Sequence, residues 1–272
     1  MKIVLVGATR GMGRALARRL AERGDALFLL GRDETQIDLS ARDLEARGAP
    51  PPVGQARLDL GEPDGFAAAL DAADRALSRM DALVVTGGLF ARQEELAADP
   101  ARLAALLHAN FTGTVLLCQQ AAERLAGRGG GLICAFGSVA GDRARRSNYL
   151  YGASKAGLAV FLDGLDLAYR GRGVRVLCVK PGFVRTSMTE GLPVPPFAGE
   201  PDAVARRVVA AMDAGRHQVY APGIWTAGLD NFTSRDSVHQ FAVGLQEVEV
   251  GKLLAGRPCD RFEDAVGDLA VV

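Results

Sequence analysis

The chain has 272 residues, 49% of them hydrophobic, and its 32 lysines and arginines balance 32 aspartates and glutamates. That length is enough for one large domain or two small ones, with an ample core. A formal net charge of zero gives no electrostatic reason to expect nucleic acid or a membrane surface as partner, and no apolar run approaches the roughly 20 residues of a membrane span.

Residues 2–6 are a short β-branched apolar run of the kind that forms a buried parallel strand. The run reaches a glycine loop at once and leaves no room for a signal peptide, so a cytoplasmic protein is expected. Four widely spaced cysteines (Cys118, Cys134, Cys178, Cys259), with no Cys-x-x-Cys, fit buried reduced thiols rather than a disulfide framework. No metal site is expected.

The loop Gly7-Ala8-Thr9-Arg10-Gly11-Met12-Gly13 is followed by Ala15, Leu16, Arg19 and Leu20 at helical spacing. Strand, glycine turn and helix together are the context in which such a loop holds a pyrophosphate on a helix N-terminus; an ordinary tight turn is the alternative. A second strand, residues 25–30, ends in Gly31-Arg32-Asp33. An acidic residue at that strand end usually bonds the ribose of NAD. Here the place falls on Gly31 and Arg32, and a guanidinium pairs with a 2′-phosphate that a carboxylate would repel. Arg10 can reach the same phosphate, so NADP(H) is the expected cofactor; otherwise Arg32 only caps a loop and Asp33 takes the ribose.

A polar amphipathic helix over 34–47 is broken by Gly48 and Pro50 to Pro52, and a third strand, 53–58, closes with Asp59-Leu60. Asp59 either accepts from the adenine amino group or caps the helix after Pro63. Helix 66–80 and strand 82–85 lead to Thr86-Gly87-Gly88, small residues that let the backbone pass close to a cofactor. One long helix is predicted over 100–126, its apolar face interrupted by Asn110. A buried Asn must be hydrogen-bonded, so Asn110 either holds a local kink with a water or caps a neighbouring loop.

Strand 132–136 leads to Gly137-Ser138-Val139-Ala140-Gly141, and Ser138 precedes Tyr151 by thirteen residues. Tyr151 and Lys155 are spaced i, i+4 on a predicted helix and share a face. A phenol has a pKa of about 10, which a neighbouring ammonium is expected to lower. Such an acid can protonate a carbonyl oxygen, while the Ser138 hydroxyl holds that oxygen. Between them, Arg143, Arg145 and Arg146 form either a solvated loop or a binding lip for an anionic or hydroxyl-rich substrate. Strand 174–179 ends in Lys180-Pro181-Gly182-Phe183-Val184-Arg185-Thr186 at the carboxyl edge of the sheet, where ligands bind. Residues 187–200 read as an apolar lid. Helix 202–214 and strand 218–221 follow, then a helix over 238–254 within a divergent extension, 223–272.

Strands alternating with helices indicate an α/β fold: one domain with a doubly wound, Rossmann-type parallel sheet of about seven strands and helices on both faces. The glycine loop, Asn110, Ser138, Tyr151, Lys155 and Pro181-Gly182, in that order and spacing over residues 2–222, resemble the short-chain dehydrogenase/reductase family. By that resemblance Tyr151 is the general acid/base and Ser138 orients the carbonyl. Lys155 bonds the nicotinamide ribose, and Asn110 anchors a water in the proton relay. Gly7, Thr9, Arg10, Gly11, Met12, Gly13 and Gly87 line the dinucleotide, Asp59 and Leu60 the adenine, and Pro181, Gly182, Val184 and Thr186 the nicotinamide end. The family usually has Thr where Val6 stands, and Asn-Ala-Gly in place of Thr86-Gly87-Gly88. Residues 138–189 are further similar to reductases that complete the epimerisation of polyprenylphosphoryl ribose, whose basic apolar tail is replaced here by an acidic helix.

The implied activity is NADP(H)-dependent reduction of a small-molecule ketone, sugar-, nucleoside- or cyclitol-like, by a homodimer or homotetramer. The lipid-linked keto-pentose is the alternative substrate. A nucleotide-sensing regulator would be expected to have dispensed with Ser138, Tyr151 or Lys155, and an epimerase to have a larger segment after Pro181.

Overall fold

The computed structural model describes residues 1–195 and 197–223. The expected helix over 238–254, the extension beyond Gly223 and Cys259 lie outside them. Seven parallel strands run β3(Gly54–Arg57), β2(Ala26–Gly31), β1(Lys2–Val6), β4(Ala82–Val85), β5(Gly131–Phe136), β6(Val174–Pro181) and β7(Gln218–Ala221) across the sheet. β1 therefore has β2 on one side and β4 on the other, and the direction of winding reverses at its carboxyl end. In open sheets of this kind the crevice at such a reversal is where ligands bind.

Successive side chains of a strand point to opposite faces, and this divides the core in two. Ile3, Leu5, Leu27 and Leu29 pack on one face with Leu16 and Leu20 of α1(Gly11–Glu22), Ile37 and Leu44 of α2(Glu34–Ala46), and Val204 and Val208 of the C-terminal helix of the described chain, Pro201–Asp213. Val4, Val6, Phe28 and Leu30 pack on the other with Phe66 and Leu70 of α3(Phe66–Leu77). The same face takes Leu117 and Leu125 of the segment 114–126 and Leu158, Leu162 and Leu165 of the helix Tyr149–Tyr169.

α3 stops three residues short of the predicted Met80, because Ser78 turns into the left-handed region (φ 53°) and closes the helix. A short helix not foreseen, α4(Gln93–Ala98), precedes the predicted long one. The expected unbroken helix over 100–126 is three pieces: α5(Pro100–Leu107), a π-helical turn His108–Gly113, and α6(Thr114–Ala126). The π turn is built around Asn110, which is fully buried and would otherwise be an unpaired polar group on an apolar face. Taken together, 100–126 is long and apolar enough to span a membrane by length and composition. Its inner face is spent inside the protein, however: Ala109, Leu117, Cys118, Ala121, Ala122 and Leu125 pack on the sheet, and Leu106 packs with Leu96, Ala140 and Tyr151. α7(Tyr149–Tyr169) and α8(Pro201–Asp213) complete the helices. Cys118, Cys134 and Cys178 are buried free thiols, as expected.

Candidate active site

The glycine loop closes tightly onto β4. Gly7 and Gly11 take left-handed backbone (φ 93° and 53°), and a Cβ on Gly13 would stand 2.1 Å from the Gly7 carbonyl oxygen. A side chain at either of the first two would be strained, and one at Gly13 would push the helix off the loop. Thr86 completes the closure: its hydroxyl donates to the carbonyls of Val6 at 2.9 Å and Gly7 at 3.2 Å. Val6 itself cannot provide a hydroxyl, so the polar tie comes from the next strand. α1 begins with Arg10 as its N-cap and carries no acidic residue in its first turn, which leaves the positive end of the helix facing the crevice.

Across the crevice stand the proposed chemical groups. Met12, Thr86, Gly88, Leu89, Ser138 and Tyr151 line one cleft with Lys155, Pro181, Gly182, Val184, Thr186 and Met188. Ser138 follows β5 in extended conformation. Its Oγ accepts from Ala140 N at 3.1 Å and donates to Pro181 O at 3.5 Å. Tyr151 is 8% exposed, with Phe90 edge-on to its ring at 5.3 Å. Lys155 Nζ donates to the Phe136 carbonyl at 2.9 Å and lies 5.9 Å from the Tyr151 ring centre.

The expectation that the ammonium lowers the phenol's pKa is not met. Burial dominates both groups. It pushes the Tyr151 phenol up to about 12, against a smaller lowering by its hydrogen bond with Ser138. It also pulls the Lys155 ammonium down to about 8. The ammonium is turned toward the Phe136 carbonyl, and neither group shifts the other: desolvation is the leading cause for both.

Behind the cleft, both alternatives for Asn110 are partly realised. Its Oδ1 accepts from Leu89 N at 2.6 Å and its Nδ2 donates to Leu89 O at 2.8 Å, so it holds the loop after β4 while occupying the π turn. A further contact reaches Ser154 Oγ at 3.4 Å, and Ser154 donates to the Tyr151 carbonyl at 2.7 Å. The turn bearing Asn110 is thereby tied to the turn bearing Tyr151.

The residues expected at the adenosine end lie farther along the same carboxyl edge. Arg32 is exposed just past β2. Asp33 N-caps α2, its Oδ1 accepting from Gln36 N at 3.0 Å. Asp59 does not cap the Pro63 turn, whose N-cap position is Glu62; its Oδ1 accepts from Gly61 N at 2.8 Å and shapes the bend after β3. Leu60 is buried, and its Cδ1 would lie 3.4 Å from a Cβ on Gly87. Thr9 and Arg10 stay within the glycine loop. None of Arg143, Arg145 and Arg146 lines the cleft among the described residues. Burial and then the Arg143 charge lower the Arg145 pKa, and Arg146 is exposed. Phe90, Gln93 and the Phe136 carbonyl were missed from the sequence. Gln93 Oε1 accepts from Leu150 N at 3.2 Å at the head of α7, a contact that no local pattern signals.

The residues present fit a dinucleotide: a loop that only glycines can form, a helix N-terminus free of carboxylates, and a lysine and two hydroxyls opposite.

Residues 1–194 match the family described as short chain dehydrogenase. An uncharacterised oxidoreductase of Mycobacterium tuberculosis is 33% identical over 220 residues, 81% of this chain and 88% of that protein. Sulfoacetaldehyde reductase 2 of Chromohalobacter salexigens is 34% identical over 189 residues, 69% of this chain and 74% of its own. Among solved structures, a variant of actinorhodin polyketide ketoreductase with NADPH superposes with a TM-score of 0.73 at 23% identity, over 81% of this chain and 95% of that one.

Proposed function

The chain belongs to the short-chain dehydrogenase family, and on that premise we propose that it is an NADP(H)-dependent ketoreductase, reversible as an alcohol dehydrogenase, acting on a ketone of a polar sugar-, nucleoside- or cyclitol-like molecule. The observation that carries the reading is the convergence of Ser138, Tyr151 and Lys155 on one cleft with Met12 of the glycine loop and Thr186. The dinucleotide, when bound, supplies the hydride to the carbonyl carbon. Tyr151 gives its phenolic proton to the carbonyl oxygen. Its pKa, pushed up to about 12, keeps it protonated at neutral pH, the state that donation requires. Ser138 holds the same oxygen, and its hydrogen bond favours the phenolate left behind; Lys155 is the residue that bonds the nicotinamide ribose. Asn110 positions this group through Ser154 and the Leu89 loop. Gly7, Gly11, Gly13 and the first turn of α1 hold the pyrophosphate, and Arg10 and Arg32 the 2′-phosphate. Residues 187–200 cover the substrate.

The reduction direction is supported by the reductase at 34% identity. The resemblance of residues 138–189 to polyprenylphosphoryl keto-pentose reductases supports a lipid-linked keto-sugar as second reading. The molecule is further proposed to be a homodimer or homotetramer.

The test is a panel of soluble and lipid-linked ketones followed by NADPH oxidation. Tyr151→Phe is expected to bind NADPH normally and to lose roughly 10²–10⁴-fold in turnover, the usual share of a general acid. A lower KM for NADH than for NADPH would remove the cofactor assignment, and undiminished turnover by the Tyr151 variant would remove the acid.

A further inference from the structure

β5 and β6 are paired from Gly131↔Val174 to Phe136↔Val179, and there the ladder ends. Ser138 lies two residues beyond it. Besides its hydrogen bond with Tyr151, its hydroxyl is held by one group from each of two segments that no strand pairing joins: the Ala140 amide at 3.1 Å from its own side, and the Pro181 carbonyl at a long 3.5 Å from β6. An ion pair lies close to both partners in the chain, one residue before Pro181 and two after Ala140. Asp142 closes the short 3-10 turn Val139–Gly141, and Lys180 precedes Pro181; Lys180 Nζ donates to Asp142 Oδ1 at 2.5 Å. Both side chains are nearly out of solvent, at 10% and 14% exposure. The ammonium also lies 5.5 Å from the ring centre of Tyr220 on β7. Burial works against the Lys180 charge, yet the hydrogen bond and charge of Asp142 outweigh it and hold its pKa above the ordinary value. Lys180 is a buried residue while the Asp142 backbone is exposed, and such a largely desolvated pair is a poor way to gain stability, since apolar side chains of similar size do as well. A pair at this spot has a geometric use instead.

We propose that Asp142 and Lys180 are positioning residues that clamp the parted ends of β5 and β6 and so fix the direction of the Ser138 hydroxyl. Their effect is exerted through Ser138 and not through the dinucleotide. This inference rests on the proposed role of Ser138 for its kinetic consequence, and on the fold alone for its structural one.

Two measurements separate these. Backbone hydrogen exchange of the full chain reads the clamp directly: Lys180→Met should speed exchange at Ala140, Gly141 and Asp142, while Lys180→Arg, which keeps the pair, should not. Kinetics on the active ketone read its use: Lys180→Met should lower kcat about tenfold with the NADPH KM within twofold of wild type, Lys180→Arg should restore kcat, and Lys180→Met should add no further loss to Ser138→Ala. If an unpaired Asp142 prevents Lys180→Met from folding, Asp142→Leu with Lys180→Met removes both charges and should give the same two signatures. Unchanged exchange at 140–142, or a kcat loss that multiplies fully with that of Ser138→Ala, would overturn the clamp. A wild type that oxidises NADPH with no ketone overturns the proposed activity instead, and the exchange result then decides the clamp.

Discussion

At the scale of single residues, the buried Lys155 has a measurable signature. Its ammonium has a pKa near 8 in the folded chain, below the value of about 10.4 of an unfolded lysine. Between those two values the native state has released a proton that the unfolded state still holds, so stability rises with pH; below about 8 both states are protonated and the cost of burying the charge is borne in full. Wild type should therefore gain denaturation midpoint relative to Lys155→Met as pH is raised from 8 to 10, in urea titrations of the cofactor-free protein. Equal pH dependence of the two proteins would mean that the ammonium is solvated. Tyr151 contributes the opposite slope, but only above about pH 10, where an unfolded phenol ionises first. Tyr151, Lys155 and Ser138 were legible in the sequence because residue type and helical spacing specify them together. Their ionisation was not, because burial depends on neighbours such as Phe90 and Gly88 that no local pattern brings together. The same holds for Asp33, whose capping of α2 only the helix start reveals.

At the scale of elements, strands and glycine turns were read nearly to the residue, since period and turn chemistry are local signals. The segment 100–126 was not. Its apolar spacing fits one continuous helix, and the π turn depends on a long-range partner, the Leu89 backbone, that the spacing does not contain. That turn also brings Gly113 against the bend after β3: a Cβ there would lie 1.8 Å from the Leu60 carbonyl oxygen. Gly113→Ala must displace backbone rather than a side chain and is expected to cost about 3 kcal/mol, the upper end of the usual range for overpacking. Asn110→Ala leaves the Leu89 amide and carbonyl without their partner and should cost about 2 kcal/mol. Urea denaturation at neutral pH measures both, and a loss below about 0.5 kcal/mol at either, the ordinary range for surface changes, would show that the turn relaxes freely.

At the scale of the whole molecule, the two-sided core accounts for the inner faces of the helices but not for the outer face of α7. Val160 and Leu167 are 73% and 80% exposed there, and Phe111, Leu116 and Tyr149 on the same side of the sheet are more than a third exposed. Large exposed apolar residues grouped in this way commonly mark contact between subunits. Val160→Glu with Leu167→Glu should move the sedimentation coefficient toward that of a monomer without altering far-UV circular dichroism. A wild type that already sediments as a monomer would defeat the proposed assembly.

The hydroxyl of Thr86 has a wider implication. Judged position by position, Val6 and Thr86 are two departures from the family's habit. Judged by what spans the gap between the first and fourth strands, nothing has been lost, for the oxygen has crossed to the opposite bank and reaches back to the Val6 and Gly7 carbonyls. Thr86→Val would take that oxygen away while keeping the bulk of the side chain, so the seat of the glycine loop hangs on one hydroxyl of the neighbouring strand.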